Sequence, residues 1–297
     1  MEDTPKPASE ATEKLLTVPE DEATRRGEAD LAREKESKGR SSHIRVLYLP
    51  GFEGFSPKID KHILMDAVGA ENVLIPDLHT KRTIILFTFV IIIIVLLMGG
   101  AVLAAFVTKS FVSGLLSLFG MVLLGLICFV LGGRGVTHLV LKQAVAAAEK
   151  AFATFHPNVI VASAFGAVVC FQMDIPKLPL LLLAPAQDQY YRYMRLRPYM
   201  SIADYPYVIV VHGSLDETVP LDDSIRLVET CEAGRCRLEV VDDNHKLAFL
   251  SAADLRRWIE EAYEKGRVVV LKQSAAGSKS VDPTLFDDTG SSGAPTS

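Results

Sequence analysis

The stretch NVIVASAFGAVVCF, residues 158–171, decides how this chain folds. Its first six residues form a short apolar run, the pattern of a strand buried in a sheet. Small residues follow, Ala162-Ser163-Ala164-Phe165-Gly166-Ala167, and the segment then continues with helical character. The stretch therefore reads as strand, sharp turn and helix, with small side chains at 162 and 166 because strand and helix approach closely there. Ala164 stands at the tip of the turn. Ser163 precedes it by one residue, and neighbouring side chains of a strand point to opposite faces.

Working outward, the same apolar signature recurs in IRVLYLP (44–50), ENVLIPD (71–77), LPLLLLAPA (178–186), YVIVVHG (207–213) and CRLEVVDD (236–243). Strands this continuously apolar are buried on both faces, as in a parallel sheet. Helical segments fall between most of them: IDKHILMDAV (59–68), THLVLKQAVAAAEKAFATF (137–155), LDDSIRLVETC (221–231) and SAADLRRWIEEAYEKG (251–266). Alternating strand and helix predicts an α/β fold with a doubly wound, mostly parallel sheet. Functional residues of such sheets lie beyond the C-terminal ends of the strands.

The chain is unusually apolar, with 49% hydrophobic residues and a mean hydropathy of +0.25. Two runs account for the excess. Residues 83–108 and 110–133 carry no charge, and Lys109 alone separates them. Each exceeds the roughly 20 apolar residues that cross a bilayer, and neither shows the polar face of a core helix. They predict a transmembrane hairpin over 83–132, with helices at 83–107 and 111–131. Both ends of the hairpin feed one sheet, so both lie on one side of the membrane. Lys81, Arg82 and Arg134 flank the hairpin on the domain side against Lys109 at the turn, which predicts a cytosolic domain. The small residues Gly100, Ala104, Ser113 and Ser117 have the spacing that lets two membrane helices pack closely.

Residues 1–42 mix charges with Pro, Ser and Ala and predict a disordered tail. Residues 272–297 are of low complexity and predict another. The segments 43–82 and 133–271 would then form one domain that the hairpin interrupts. A net charge of −5, without a basic-aromatic patch, gives no sign of a nucleic-acid partner. Cys128, Cys170, Cys231 and Cys236 are scattered and lack metal-ligand spacing. No nucleotide loop, metal cluster or haem motif is present, so no cofactor or metal is expected.

Three strand ends carry a resemblance. HGSLDETVP (212–220) follows an apolar strand and points to Asp216; LEVVDDNHKL (238–247) brings His245 to the end of the next; the turn at 164 precedes both. This order along the chain resembles that of the α/β-hydrolase family, nucleophile then acid then histidine. VLYLPGFEGFSPK (46–58) resembles the segment that supplies one oxyanion donor there, with Pro50-Gly51 in place of His-Gly, and LPLLLLAPAQDQYY resembles small esterases of the family. The resemblance implies that Asp216 orients His245, that His245 is a general base, and that the backbone N–H groups of Phe52 and Phe165 form an oxyanion hole.

The departure is the nucleophile. Its position holds Ala164, which has no atom to attack a carbonyl. Ser163 is one residue early, Cys170 lies down the helix and reads as core, and His212 reads as structural. His43, His62, His79, His138 and His156 belong to no constellation. Three readings stay open: a membrane-anchored hydrolase-fold protein that binds without cleaving; a Ser-to-Ala variant of an esterase, lipase or thioesterase; and altered chemistry by Ser163 or the Asp216–His245 pair. A tethered scaffold for a protein partner is the contrasting class. The bilayer favours lipid-like or acylated substrates.

Overall fold

The computed structural model describes residues 43–52, 61–108, 111–196, 200–275 and 283–286. The chain divides into the units Met1–His43 and Ile44–Ser297. The predicted tail 1–42 and the hairpin turn at Lys109 lie outside the described residues, and everything below concerns the second unit.

Six strands form one sheet: β1 (Val46–Leu49), β2 (Val73–Leu74), β3 (Val159–Ser163), β4 (Leu180–Leu183), β5 (Val208–Gly213) and β6 (Cys236–Val241). Their order is β2-β1-β3-β4-β5-β6, and every pairing is parallel. All residues of β1, β3, β4 and β5 are buried. Alternate side chains of a strand point to opposite faces, so both faces are covered. The described α-helices are α1 (Lys61–Val68), α2 (Thr80–Thr108), α3 (Phe111–Phe155), α4 (Phe165–Gln172), α5 (Gln187–Met194), α6 (Leu221–Glu229) and α7 (Ala252–Ala275). α1 packs on α7, and α7 crosses β3, β4 and β5, whereas α3, α4 and α5 pack on one another as a second layer.

Helices α2 and α3 are long and apolar enough to cross a membrane. Ile85, Leu96, Val107, Leu116, Phe119 and Val122 are among the large apolar side chains they leave exposed. α3 has 45 residues, about 68 Å at 1.5 Å per residue. Its second half is part of the domain: Val140, Leu141, Ala144 and Ala148 are buried, and it ends just before β3. It therefore runs antiparallel to β3. Its first half, like the α2 that leaves after β2, extends past the C-terminal ends of the strands.

The structure corrects several boundaries. The predicted hairpin helix 111–131 and domain helix 137–155 are one helix, because Gly132, Gly133 and Gly135 do not break it. Gly100 does not mediate the packing of α2 on α3, since a side chain there would meet nothing within 4 Å. Gly114 and Gly132 do, where the rings of Phe106 and Phe87 lie against the glycine backbone. The segment 272–297 is not wholly a tail: α7 runs to Ala275, and Pro283–Phe286 form a 3-10 turn. Phe286 is fully buried with its ring 5.7 Å from that of Tyr263. One aromatic residue is enough to seat the turn, since burying such a side chain contributes about 1.5–3 kcal/mol.

Candidate active site

The turn after β3 has an unusual backbone. Ala164 adopts φ 43° and ψ −110°. Positive φ is uncommon for a residue with a Cβ, and such strain costs about 1–3 kcal/mol. Three hydrogen bonds hold it: Ala164 N–H donates to Leu183 O (3.0 Å), and Ala164 O accepts from Ala167 N–H (3.2 Å) and Ala186 N–H (3.3 Å). Gly166 is required because a Cβ there would strike the carbonyl of Leu49. The Ala164 side chain is 4% exposed and packs with Ala186 and Val219, so the turn touches the loop that follows β5.

That loop carries Asp216. Its Oδ1 accepts from the N–H groups of Thr218 and Val219, both at 2.8 Å. Its Oδ2 accepts from His245 Nδ1 at 2.6 Å. Burial would raise the Asp216 carboxyl, but these hydrogen bonds outweigh it and hold the group below the usual carboxylate range. His245 is 7% exposed and sits on the loop after β6. Asp243 shapes that loop by accepting from Asn244 N–H (2.7 Å) and Phe249 N–H (2.9 Å). Its carbonyl accepts from Leu215 N–H at 3.0 Å, which ties the two loops together. Gly213 permits this contact, since a Cβ there would collide with Asp243 O. Bound through Nδ1, His245 has Nε2 left for a proton from a third group.

His212 is fully buried. Its Nε2–H donates to Val219 O (2.9 Å) and its Nδ1 accepts from Ser224 Oγ (2.8 Å). Burial lowers its pKa, so the neutral ring braces the Asp216 loop. Ser163 faces the other side of the turn. Its hydroxyl accepts from Gly51 N–H (3.2 Å) and pairs with Tyr48 OH (3.1 Å). Burial pushes the Tyr48 phenol up to about 12. A cavity of about 560 Å³ opens on this side, lined by Tyr48, Pro50, Gly51, Met65 and Ile75. Cys170 is buried in α4, and burial pushes its thiol up to about 12.

The two residues expected to supply oxyanion donors lie together. The rings of Phe52 and Phe165 stack at 4.2 Å, and Tyr190 meets Phe165 at 5.0 Å. As the first residue of α4, Phe165 has a backbone N–H without a partner inside its helix. Tyr190 comes from α5, a helix that the polar sequence QDQYYRYM did not announce. α5 is tied to α6 through Arg226, which bonds Asp188 at 2.9 Å and also Asp223. Of the histidines outside the site, His138 Nε2 contacts Met194 O (3.1 Å) and His79 pairs with Asp77 (3.0 Å). Among the described residues no group of three or more His, Cys, Asp or Glu could hold a metal ion.

No family model matches the chain, and no curated protein matches it. Two solved structures are similar to parts of it. One is a candidate hydrolase from Agrobacterium vitis S4, 17% identical, with 44% of this chain and 68% of the other covered and a TM-score of 0.28. The second is a candidate hydrolase of the alpha/beta superfamily from Xanthomonas campestris pv. campestris, 25% identical, with 48% and 69% covered and a TM-score of 0.24. Both likenesses are partial, and the site stands on its own geometry.

Proposed function

We propose that this chain is a membrane-anchored protein of the α/β-hydrolase fold, built for acyl transfer but lacking the nucleophile. The observation that carries the reading is the Asp216–His245 hydrogen bond of 2.6 Å beside a turn that keeps a strained backbone at Ala164. A base oriented by an acid is two-thirds of a nucleophilic triad. The strained tip is where that family presents its nucleophile. In this reading the site binds an ester-like or acylated ligand and does not cleave it, because Ala164 has no atom to attack a carbonyl.

The membrane reading rests on two exposed apolar helices at one end of the domain. They leave at the C-terminal ends of the strands, so the site faces the bilayer. Leu215 (63% exposed) and Phe249 (84% exposed) lie on the two loops holding Asp216 and His245 and suit an apolar surface or acyl chain. The flanking cations Lys81, Arg82 and Arg134 orient the domain toward the cytosol. Removal of residues 83–132, with a short linker in their place, releases the protein from membranes; recovery of the full chain without detergent would end the anchoring reading. An acceptor for N-glycosylation beside Lys109 is modified in microsomes, whereas one after Leu271 is not.

A fluorophosphonate probe, which needs an activated serine, tests the site. The chain as written stays unlabelled, and Ala164→Ser becomes labelled. If a folded Ala164→Ser stays silent, the Asp216–His245 pair is structural and the chain is a tethered scaffold.

A further inference from the structure

At their domain end the two hairpin helices flank an open groove of about 590 Å³, apart from the site above. His79, Arg82, Thr83 and Leu86 line it on one side, and Gln143, Ala146, Ala147 and Lys150 on the other. Each set follows i, i+3, i+4, i+7 spacing, so one face of α2 and its N-terminal approach meets one face of α3. Thr83 Oγ1 donates to Gln143 Oε1 at 2.8 Å and fixes the two faces. Ala146 and Ala147 are short, and the space between the helices opens over them.

The walls are basic. Arg82 and Lys150 enter no salt bridge among the described residues, and no carboxylate lines the cavity. Asp77, outside it, holds His79 at 3.0 Å. The height also matters. The uncharged run begins just after Arg82, and Leu86 lies within it. Thr80 to Leu86 spans about 9 Å along the helix axis, close to the depth of one headgroup layer and the first methylene groups.

We propose that this cavity binds the phosphate of an anionic phospholipid, with the acyl chains leaving past Leu86 into the bilayer. The Arg82 fork and the Lys150 ammonium hold phosphate oxygens. The glycerol lies over Ala146 and Ala147. The proposal rests on the membrane reading, in which these cations face the anionic leaflet.

The test uses the full chain in neutral detergent, with retained lipid counted by native mass spectrometry. Phosphatidic acid and phosphatidylcholine of the same acyl chains are compared, with inorganic phosphate as soluble competitor. The expected result is preferential retention of phosphatidic acid. Arg82→Gln and Lys150→Gln each lower it about fivefold, which is about 1 kcal/mol per cation near such a headgroup. Ala147→Leu, which fills the cavity without changing charge, lowers it as well. Lys142→Gln, on the same helix but outside the cavity, does not. Equal retention of the two lipids overturns the proposal. So does an Ala147→Leu chain that retains phosphatidic acid unchanged, which would make the binding surface charge only. Displacement by equimolar inorganic phosphate overturns the lipid source. A chain that stays with membranes but shows no preference ends this inference alone; one found soluble without detergent ends the anchoring reading.

Discussion

The two halves of the candidate site differ in what they keep. On the β5–β6 side, side chains and backbone are both complete: Asp216 satisfies two loop amides and His245, and His212 braces the loop from beneath. On the β3 side only the backbone is complete. Ala164 holds a strained turn by three main-chain hydrogen bonds, yet its side chain ends at Cβ. The turn is thus specified by Gly166, by the bonds from β4 and by close packing, none of which needs a side-chain oxygen at 164. The proposed acyl-transfer chemistry would need that one oxygen.

The largest expected effect follows from joining the halves. In an Ala164→Ser background, adding His245→Ala abolishes ester hydrolysis and probe labelling, a fall of at least about a thousandfold, because nucleophile and base act as one unit. Labelling that survives His245→Ala would mean the two sides do not cooperate.

Next comes the complete side. Asp216→Ala leaves His245 Nδ1 and the Thr218 and Val219 amides without their acceptor, at a cost of about 3–5 kcal/mol, measured as a lower urea midpoint at unchanged slope. The pH dependence has two windows. His212 is lowered by burial, so below the ordinary value of about 6.5 the unfolded chain takes up a proton that the folded chain refuses, and stability falls as pH falls. Asp216 is lowered by its hydrogen bonds acting against burial. Its contribution is complete above the ordinary value of about 3.9 and is lost as pH falls through the folded value. Asp216→Asn removes the second window and keeps the first. A midpoint flat from pH 7 to pH 4 would break the assignment of His212 as a buried neutral ring.

On the incomplete side, Gly166→Ala forces a Cβ into the Leu49 carbonyl. Backbone cannot move aside as a side chain can, so the cost reaches the upper end of the about 1–3 kcal/mol typical of overpacking. A cost below 0.5 kcal/mol, on the order of surface substitutions, would show that the turn is looser than its hydrogen bonds imply.

Much of this was legible because of strand chemistry. β3, β4 and β5 are continuous apolar runs, and Ala164 and Asp216 each follow such a run or its short loop; His245 follows β6, where Arg237 and Glu239 interrupt the apolar run. Period-2 alternation also separates Ser163 from Ala164, and the structure places the Ser163 hydroxyl on Tyr48 and Gly51. What escaped the sequence depends on partners distant along the chain. β2 shrinks to two residues: Ala70–Asn72 form a 3-10 turn before it, and the strand ends at Leu74, two residues before Pro76, which has no N–H to donate to a ladder. Phe286 hides in polar surroundings and is recruited by Tyr263. The basic cavity needs His79 beside Lys150, 71 positions apart, which no local pattern reports. The helix packing at Gly114 and Gly132 depends on where two phenylalanine rings fall.

Ser163→Ala has the smallest expected effect and tests the comparison most finely. The Ser163 hydroxyl is fully buried and serves two groups, Gly51 N–H and Tyr48 OH. Leaving buried groups unsatisfied costs about 1–3 kcal/mol. Tyr48 and Gly51 also line the 560 Å³ cavity, which is roomy and polar enough for a water to replace the lost hydroxyl, so about 1 kcal/mol is expected. Activity separates the two serine positions more sharply than stability does. In the Ala164→Ser background, Ser163→Ala leaves labelling within about twofold, because its hydroxyl points toward β1 and not toward His245. Labelling of the unmodified chain, lost on Ser163→Ala, would instead put the nucleophile one residue earlier and shift the turn by one register. Gly51 then decides the remaining question, since its N–H is the one that Ser163 holds. If Ser163→Ala lowers labelling of the Ala164→Ser chain several-fold without unfolding it, the loop after β1 needs that hydrogen bond to aim the neighbouring Phe52 N–H at an oxyanion, and the two halves of the site are coupled through Ser163.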